Sequence, residues 1–355
     1  MDQILKNEER AVFALRSLYR RYGYCPYKMS RFEEYDLYVR NKDFLVSDQV
    51  ITFSDRSGRL LALKPDVTLS IVKNAPEEPG VVQKVYYNEN VYRDFREIMQ
   101  TGLECVGDLG DYEIAEVVLL AAKSLEQMGS SYVLDISHVG LISAVLGSCG
   151  LGSGARRQAM DCLRRKNSHE LQALCAGQSG AWEKIRCLAT CRGGAEVLDQ
   201  LEPVLTTVAE RQALEELKSL WAMLDSAGCG QNVRLDFSVG NDMKYYSGVV
   251  FKGYLEGIPT SVLSGGQYDR LPQKMGKSIR AIGFAIYVDL LQQLENKEPD
   301  FDVDTLILHD GSVAPARLME AVRAAEQSGS VLVASQIPKG RKWRNLVKFE
   351  KGEEA

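Results

Sequence analysis

The chain has 355 residues, of which 45% are hydrophobic and 26% are charged, with a formal net charge of −5. This composition suits a globular protein with one large domain and a small one. The acidic balance makes nucleic acid an unlikely main partner. The start of the chain lacks the apolar core of a signal peptide, and no stretch approaches about 18 consecutive apolar residues, so we expect a cytoplasmic protein without a membrane span.

The eight cysteines are scattered, and the chain has three histidines. Cys187 and Cys191 stand one helical turn apart, but no second Cys or His pair follows at the spacing of a zinc site. We therefore expect reduced cytosolic thiols, with neither a metal nor a cofactor.

The first part of the chain alternates helix and strand patterns. Residues 7–22 predict an amphipathic helix that Gly23 ends. Residues 24–104 are rich in strand patterns, with a hairpin turn signal at DRSG (55–58). Asp111 is the predicted N-cap of a helix that ends before Gly129, and SYVLDIS (131–137) reads as the next strand.

The middle of the chain, about 139–227, is rich in Ala, Leu, Arg and Glu and predicts a helical insertion. The glycines at 150, 152 and 154 lie between two helical patterns, which favours a plain turn over a nucleotide loop. Strand patterns return at 232–239, 245–254 and 259–266, and a helix is expected from about Ile282.

The C-terminal part, 299–355, reads as strand, helix and strand, followed by a basic run (339–352) that is typical of a solvated face or a loose tail. We predict a core over residues 1–298 and a short α/β segment over 299–355. The fold class is α+β, because long strands without βαβ alternation favour a mixed, mainly antiparallel sheet flanked by helices.

Some residues of the core suit a free amino acid as ligand. Its ammonium group needs carboxylate or amide oxygens, its carboxylate needs a guanidinium group or N–H donors, and an imidazole needs a directed polar partner in an apolar slot. The relevant stretches are TFSDRSGRLLALKPDVT (52–68), VYRDFREIMQTGLECVG (91–107), NDMKYYSGVVF (241–251), SGGQYDRL (264–271) and AIGFAIYVDLL (281–291).

These stretches resemble, in the same order, five motifs of histidyl-tRNA synthetases, a family with the class II synthetase fold. The resemblance covers about residues 7–295. It implies that Asp66, Thr68 and Gln100 hold an ammonium group and that Arg93 meets a carboxylate. It further implies that Glu104 and Tyr245 address an imidazole, with Tyr246 and Tyr268 closing the pocket.

Structural roles compete with each of these assignments. The three tyrosines could simply pack on the sheet. Asp66 and Thr68 follow Pro65 and could cap a helix. Arg93 and Glu104 could form a structural salt bridge with each other.

The nucleotide side departs from the synthetase motifs. Only residues 94–99 separate Arg93 from Gln100, so the loop that covers ATP in synthetases is cut short. Positions that carry arginine, aspartate, proline or a small residue in the family are different here: Ser30, Asn241, Lys244, Gln267, Tyr287 and Leu290. Because cationic groups stabilise the charge that develops on phosphate during adenylation, their loss predicts that the chain does not activate an amino acid with ATP.

A retained amino-acid pocket without ATP chemistry resembles the family of regulatory subunits of ATP phosphoribosyltransferase. LKPDVT (63–68) and YNENVYR (87–93) look like that family. The resemblance implies a non-catalytic subunit of the enzyme that starts histidine biosynthesis. It further implies a complex with a short catalytic subunit, histidine as feedback effector, and a homodimer within a hetero-oligomer. The alternatives are a diverged histidyl-tRNA synthetase and a tRNA-binding regulatory module.

Overall fold

The computed structural model describes residues 5–45, 47, 49–129, 131–178, 180–239, 245–294 and 301–349. The chain divides into a larger compact unit, Leu5–Leu294, and a smaller one whose described residues are 301–349. No helix in these ranges is long and apolar enough to cross a membrane.

The strands, in chain order, are β1 (Cys25–Pro26), β2 (Phe32–Glu34), β3 (Thr52–Ser54), β4 (Leu60–Leu63), β5 (Val82–Arg93), β6 (Arg96–Gly107), β7 (Tyr132–His138), β8 (Arg192–Gly193), β9 (Val233–Asp236), β10 (Val249–Leu255), β11 (Leu263–Gln267), β12 (Arg280–Tyr287), β13 (Val303–His309), β14 (Val331–Ala334) and β15 (Trp343–Phe349). The α-helices are α1 (Asn7–Arg21), α2 (Tyr35–Arg40), α3 (Thr68–Asn74), α4 (Asp111–Met128), α5 (Val139–Ser148), α6 (Ser153–Arg164), α7 (Ser168–Leu174), α8 (Ala181–Thr190), α9 (Glu196–Leu201), α10 (Val208–Ser226), α11 (Arg270–Lys274) and α12 (Pro315–Glu326). Short 3₁₀ helices lie at Lys42–Phe44, Glu202–Val204, Gly230–Asn232 and Val288–Gln293.

A nine-stranded sheet organises the larger unit, in the order β1-β5-β6-β12-β11-β10-β7-β9-β8. The pairs β1–β5 and β7–β9 are parallel, and the other neighbouring strands run antiparallel. This mixed, mainly antiparallel sheet flanked by helices confirms the predicted fold class.

Helices α1 and α4 cover one face of this sheet. The buried side chains of α1 include Leu15, Leu18 and Tyr19, which share the predicted apolar face. The predicted helix after residue 110 is also present, but Gly110 is its N-cap and Asp111 its first residue. The Glu113 carboxylate accepts a 2.9 Å hydrogen bond from the Gly110 amide. This bond makes Gly110 the N-cap, so the helix begins one residue earlier than it would with Asp111 as the N-cap.

Helices α5 to α10 follow β7 and occupy most of residues 139–226 before the chain returns to the sheet at β9. The buried carboxylate of Glu210 holds this segment together by accepting hydrogen bonds from Lys184 at 2.8 Å and Ser148 at 2.5 Å. A second, three-stranded sheet, β2-β4-β3, contains the predicted DRSG hairpin, whose turn Asp55 stabilises by accepting a 2.8 Å bond from the Ser57 amide.

The prediction of a helix from about Ile282 is wrong up to Tyr287. Residues 280–287 form β12, which lies between β6 and β11, and a 3₁₀ helix follows at Val288–Gln293. A short apolar run fits either period, and here the sheet buries both faces of the strand, so alternation is absent from the sequence.

The smaller unit contains a parallel sheet in the order β14-β13-β15, with α12 connecting β13 to β14. The basic run was predicted as a solvated face or a loose tail. Part of it is a strand, because β15 pairs with β13 from Trp343 to Phe349, and residues 344–348 of this strand are exposed, as a solvated face requires. The strand combines three polar or charged residues with four apolar ones, and its backbone pairs with β13 along its length.

Candidate functional site

A cavity of about 140 Å³ opens on the sheet of the larger unit. This is roughly ten times the space of ~10–15 Å³ that one water requires in a comparable measure. All eight residues predicted to bind an amino acid line it: Asp66, Thr68, Arg93, Gln100, Glu104, Tyr245, Tyr246 and Tyr268.

The fold brings these residues together from distant parts of the sequence. Asp66 and Thr68 lie at the start of α3, and Arg93 is the last residue of β5. Gln100 and Glu104 lie four positions apart on β6, so both side chains point to the same face of the sheet. The three tyrosines flank β10 and β11.

Glu104 forms the acidic end of the cavity. Its side chain is buried, Oε1 accepts a 2.8 Å hydrogen bond from the Thr68 hydroxyl, and Oε2 accepts one from the Tyr268 hydroxyl. Burial raises the pKa of Glu104 to about 8, while the two hydroxyl donors act in the opposite direction. Gly283 on the neighbouring strand β12 leaves the space that the carboxylate occupies.

Asp66 and Arg93 form a second charged pair, with 3.6 Å between Asp66 Oδ2 and a guanidinium nitrogen. Arg93 Nε also donates a 2.6 Å bond to the carbonyl of Pro65, and Asp66 Oδ1 accepts a 2.9 Å bond from the Leu69 amide. Burial raises the pKa of Asp66, and the adjacent Arg93 lowers it. The predicted alternative that Asp66 caps a helix is therefore partly correct, whereas Arg93 pairs with Asp66 and not with Glu104.

Gln100 supplies an unused polar group. The residue is 2% exposed, and its Nε2 has no hydrogen-bond partner within the described part of the chain. A buried amide without a partner is costly, and this one lines the cavity, so a polar ligand atom would satisfy it.

The tyrosines form an aromatic wall. The ring centroid of Tyr245 lies 4.8 Å from that of Tyr246 and 5.7 Å from that of Tyr268. The ring of Phe44 also lies against Tyr245, with 5.8 Å between the two centroids. Burial raises the pKa of Tyr245 and of Tyr268 well above the usual value, so both hydroxyls stay protonated. The wall therefore combines apolar surface with hydroxyl groups, as a slot for a polar ring requires.

The cavity also includes residues that had no predicted role in binding, among them Phe44, Tyr87, Ser264 and Phe284. The last three lie within the quoted motif stretches. Tyr87 lies six positions before Arg93 on the same strand, so strand parity could have placed both on one face. Phe44 lies in a 3₁₀ helix outside every motif, and no sequence signal points to it.

The positions that depart from synthetase motifs lie in different surroundings. Tyr287 lines the cavity, whereas Leu290 packs against the main apolar core. Gln267 is buried and donates a 2.5 Å bond to Asp269. Ser30 lies on a surface loop, where its hydroxyl accepts a 3.3 Å bond from the Phe32 amide. Asn241 and Lys244 lie outside the described residues.

The shortened loop is a tight hairpin. Strand pairing between β5 and β6 continues to Arg93 and Arg96, which leaves a turn of two residues, Asp94 and Phe95. No longer loop remains at this position to extend over a nucleotide.

Comparison with known proteins identifies the family that the motifs in the sequence predicted. The family model described as histidyl-tRNA synthetase matches residues 2–291. The ATP phosphoribosyltransferase regulatory subunit of Syntrophotalea carbinolica is 29% identical over 317 residues, which cover 84% of this chain and 74% of that protein. This relative confirms the predicted resemblance to such subunits.

Two solved structures share the fold. The crystal structure of an ATP phosphoribosyltransferase regulatory subunit/histidyl-tRNA synthetase from Bacillus halodurans has a TM-score of 0.80 at 23% identity, covering 96% of this chain and 93% of that one. A chain of the ATP phosphoribosyl transferase complex from Thermotoga maritima has a TM-score of 0.62 at 19% identity, covering 82% and 99%. At these identities the likeness concerns the fold, and it confirms the class II synthetase-like architecture. Since the family model spans more than half of the sequence, the chain belongs to the histidyl-tRNA synthetase family.

Proposed function

We propose that this chain is the non-catalytic regulatory subunit of ATP phosphoribosyltransferase, required for the first step of histidine biosynthesis and for its feedback inhibition by histidine. The observation that carries the proposal is the similarity to a protein of that name over 84% of this chain and 74% of the relative. The partner is a short-form catalytic subunit, and the Thermotoga maritima complex provides a precedent for such an assembly in a protein of the same fold.

The cavity supports histidine as the effector. Asp66 and Glu104 supply two carboxylates and Arg93 one guanidinium group, a set that matches an amino acid carrying an ammonium group, a carboxylate and a basic ring. Glu104 lies at the end with the hydroxyl donors, and burial raises its pKa to about 8. A basic imidazole would take up the Glu104 proton and pair with the resulting carboxylate. The ammonium group fits beside Asp66, Thr68 and Gln100, and the carboxylate beside Arg93.

The departures from the synthetase motifs support the absence of catalysis. Leu290 is engaged in the apolar core, Tyr287 adds bulk to the cavity wall, and the two-residue turn after Arg93 is too short to cover ATP. Loss of one preorganised group can lower a rate by about 10²–10³, and this chain lacks several.

Regulation then requires two states of the complex. Histidine that binds one state more tightly shifts the population toward it, and the catalytic partner responds through their contact. By family resemblance the chain forms a homodimer within a cytoplasmic hetero-oligomer. The eight cysteines are free thiols, which accords with that compartment.

The decisive test is reconstitution with a short-form catalytic subunit from the same genome. We expect the two chains to co-elute, the catalytic rate to rise on addition of this chain, and histidine to inhibit only the complex. If the chains do not associate and no activity is gained, the proposal is wrong.

A calorimetric titration tests the effector site separately. We expect heat on addition of histidine to the wild-type complex and its loss in the Glu104→Gln variant, with an exposed substitution such as Glu126→Gln as control. Absence of heat at millimolar histidine, with or without the partner, would exclude this cavity as the sensor. Inhibition that persists in Glu104→Gln would instead place the effector site at a subunit interface.

The rival hypothesis of a working synthetase has its own assay. We expect no histidine-dependent exchange between ATP and pyrophosphate. The tRNA-binding alternative predicts binding with a steep salt dependence, which we do not expect for a chain with a net charge of −5.

A further inference from the structure

Cys187 and Cys191 lie at the end of α8, and their side chains touch. Their sulfur atoms are 3.4 Å apart, with the Cys191 thiol donating to Cys187 Sγ. All eight cysteines lie in the described ranges, and no other two of them have sulfur atoms within hydrogen-bonding distance of each other. The spacing of one helical turn therefore places two thiols in direct contact.

The backbone at Cys191 allows this approach. Residues one turn apart on a regular helix have Cβ atoms about 5–6 Å apart, which exceeds the ~3.8 Å typical of a disulfide. Cys191, however, is the C-cap of α8, with φ of −73° and ψ of 123°, so its backbone has left the helix. The next two residues form β8, an edge strand that pairs only with β9. A small shift of this short edge would bring the sulfur atoms to the bonding distance of about 2.05 Å.

The two thiols differ in burial. Cys187 is 6% exposed, whereas Cys191 is partly open to solvent. Burial and the adjacent Cys191 thiol raise the pKa of Cys187, so its thiolate is disfavoured. Its thiol also donates a 3.6 Å bond to the carbonyl of Gln200. Cys191 is therefore the thiol that a reagent in solution reaches first, and Cys187 is placed to react second.

We propose that Cys187 and Cys191 are a redox-active pair that forms a reversible disulfide by exchange with a small-molecule disulfide. First, the Cys191 thiolate attacks one sulfur of the reagent RSSR, and one RS⁻ leaves. The Cys187 thiolate then attacks Cys191 Sγ, the mixed disulfide breaks and the second RS⁻ leaves. The two thiol protons end on the two RSH molecules, so the protein loses two electrons and the reagent gains them.

This inference is independent of the proposed function. The pair lies in the helical segment between β7 and β9, and neither cysteine lines the cavity. A failure of one proposal therefore leaves the other standing.

The sequence makes the pair simple to follow by mass spectrometry. Trypsin cleaves after Arg186 and Arg192, so the peptide 187–192 carries both cysteines and no other. We expect both thiols to resist alkylation together once the full-length chain is equilibrated with rising ratios of oxidised to reduced glutathione. The peptide should then be about 2 Da lighter than its reduced form, and dithiothreitol should restore both thiols.

Single variants test the order of the two steps. In Cys187→Ser we expect Cys191 to retain one glutathione, because no second thiol can displace it. In Cys191→Ser we expect Cys187 to stay a free thiol, because it is buried. Cys25→Ser removes an exposed cysteine outside this segment and should leave the midpoint of the titration within about 2-fold of wild type.

A second titration in urea separates the fold from the spacing. We expect the folded chain to close the disulfide at an oxidant ratio roughly 10-fold lower than the unfolded chain does, because the fold already holds the sulfur atoms in contact.

The results distinguish the pair from two thiols that only pack together. If the peptide 187–192 stays reduced at ratios where Cys25 has taken up glutathione, the inference is wrong. It is also wrong if Cys191 of the wild-type chain ends as a stable mixed disulfide, or if Cys187 takes up glutathione in Cys191→Ser. Equal midpoints for the folded and unfolded chains would overturn it too, because the spacing alone would then form the bond.

Discussion

The hydroxyl of Thr68 donates a 2.8 Å hydrogen bond to Glu104 Oε1, so the first residue of α3 is tied to the middle of β6. Tyr268 donates to the other oxygen of the same carboxylate. Both bonds favour the ionised acid, yet burial outweighs them and raises the pKa of Glu104 to about 8. Glu104 therefore stays protonated to a higher pH than an exposed glutamate does.

This relationship predicts how stability varies with pH. Between its ordinary value of 4.5 and about 8, Glu104 binds more protons in the folded state than in the unfolded state, so stability falls as pH rises through this window. Asp66, whose pKa is also raised, acts in the same direction. We expect Glu104→Gln to reduce the slope by up to about 1.4 kcal/mol per pH unit. Urea unfolding across this window measures it, with the exposed Glu126→Gln as control, and equal slopes for the two variants would contradict the prediction.

The Glu104 carboxylate occupies the space beside Gly283, so a larger residue at position 283 should disturb the cavity. A methyl group at this position would overlap the Glu104 carboxylate and lie 2.6 Å from the backbone oxygen of Leu103. We expect Gly283→Ala to destabilise the protein by about 1–3 kcal/mol and to weaken histidine binding, because the carboxylate must move. Gly154→Ala on α6 is the matched control, since no neighbouring atom lies within 4 Å of the added methyl group, and it should cost nothing. Equal denaturation midpoints for the two variants would show that the carboxylate has room to shift.

Sequence reasoning was most successful where several motifs constrained each other. The five stretches occur in one order, and the residues they identify, from Asp66 to Tyr268, line a single cavity although they are far apart in the chain. Their chemical roles remain predictions. The pairing of charges could not be predicted, because residue types alone do not decide whether Arg93 meets Asp66 or Glu104. That choice depends on how the segment before α3 lies against the end of β5.

The errors in secondary structure have a common cause. The apolar residues of 280–287 fit a helix and a buried strand equally well, and only the neighbouring strands β6 and β11 decide between them. Likewise, the charges of the basic run concealed β15, whose existence depends on its partner β13. Phe95 shows a different limit, since a positive φ at a phenylalanine contradicts the turn preferences on which prediction relies.

The ion pair between Lys64 and Glu89 stabilises the segment before α3, which forms part of the cavity wall. The Lys64 ammonium donates to the Glu89 carboxylate, and Lys64 is almost completely buried while the Glu89 side chain is 17% exposed. The backbone of Lys64 also accepts a 2.9 Å bond from the Tyr92 amide, beside Arg93. The pair therefore fixes the segment that carries Asp66 against β5.

Because Lys64 is more deeply buried than Glu89, replacing one partner or the other should lower the unfolding free energy by different amounts. Glu89→Gln leaves a cation in the interior, and we expect it to cost about 3–5 kcal/mol. Lys64→Met leaves a carboxylate that can reach water, and should cost less, about 1–2 kcal/mol. The double variant should recover most of the loss, as a double-mutant cycle of unfolding free energies would show. Additive losses would mean that the two side chains do not depend on each other.

Leu290→Arg restores the residue type that synthetases carry at this position, and the structure predicts that it fails. Leu290 lies in the 3₁₀ helix after β12 and packs against the main apolar core, so an arginine must leave that contact or bury its charge. We expect a loss of about 1–3 kcal/mol in unfolding free energy, whereas Gln293→Arg, on an exposed position of the same helix, should stay within about 0.5 kcal/mol of wild type.

We expect no exchange between ATP and pyrophosphate in either variant, because Tyr287 still lines the cavity and the Asp94-Phe95 turn still replaces the covering loop. Histidine-dependent exchange in Leu290→Arg would mean that one cation suffices for activation, and the other departures from the synthetase motifs would then need another explanation.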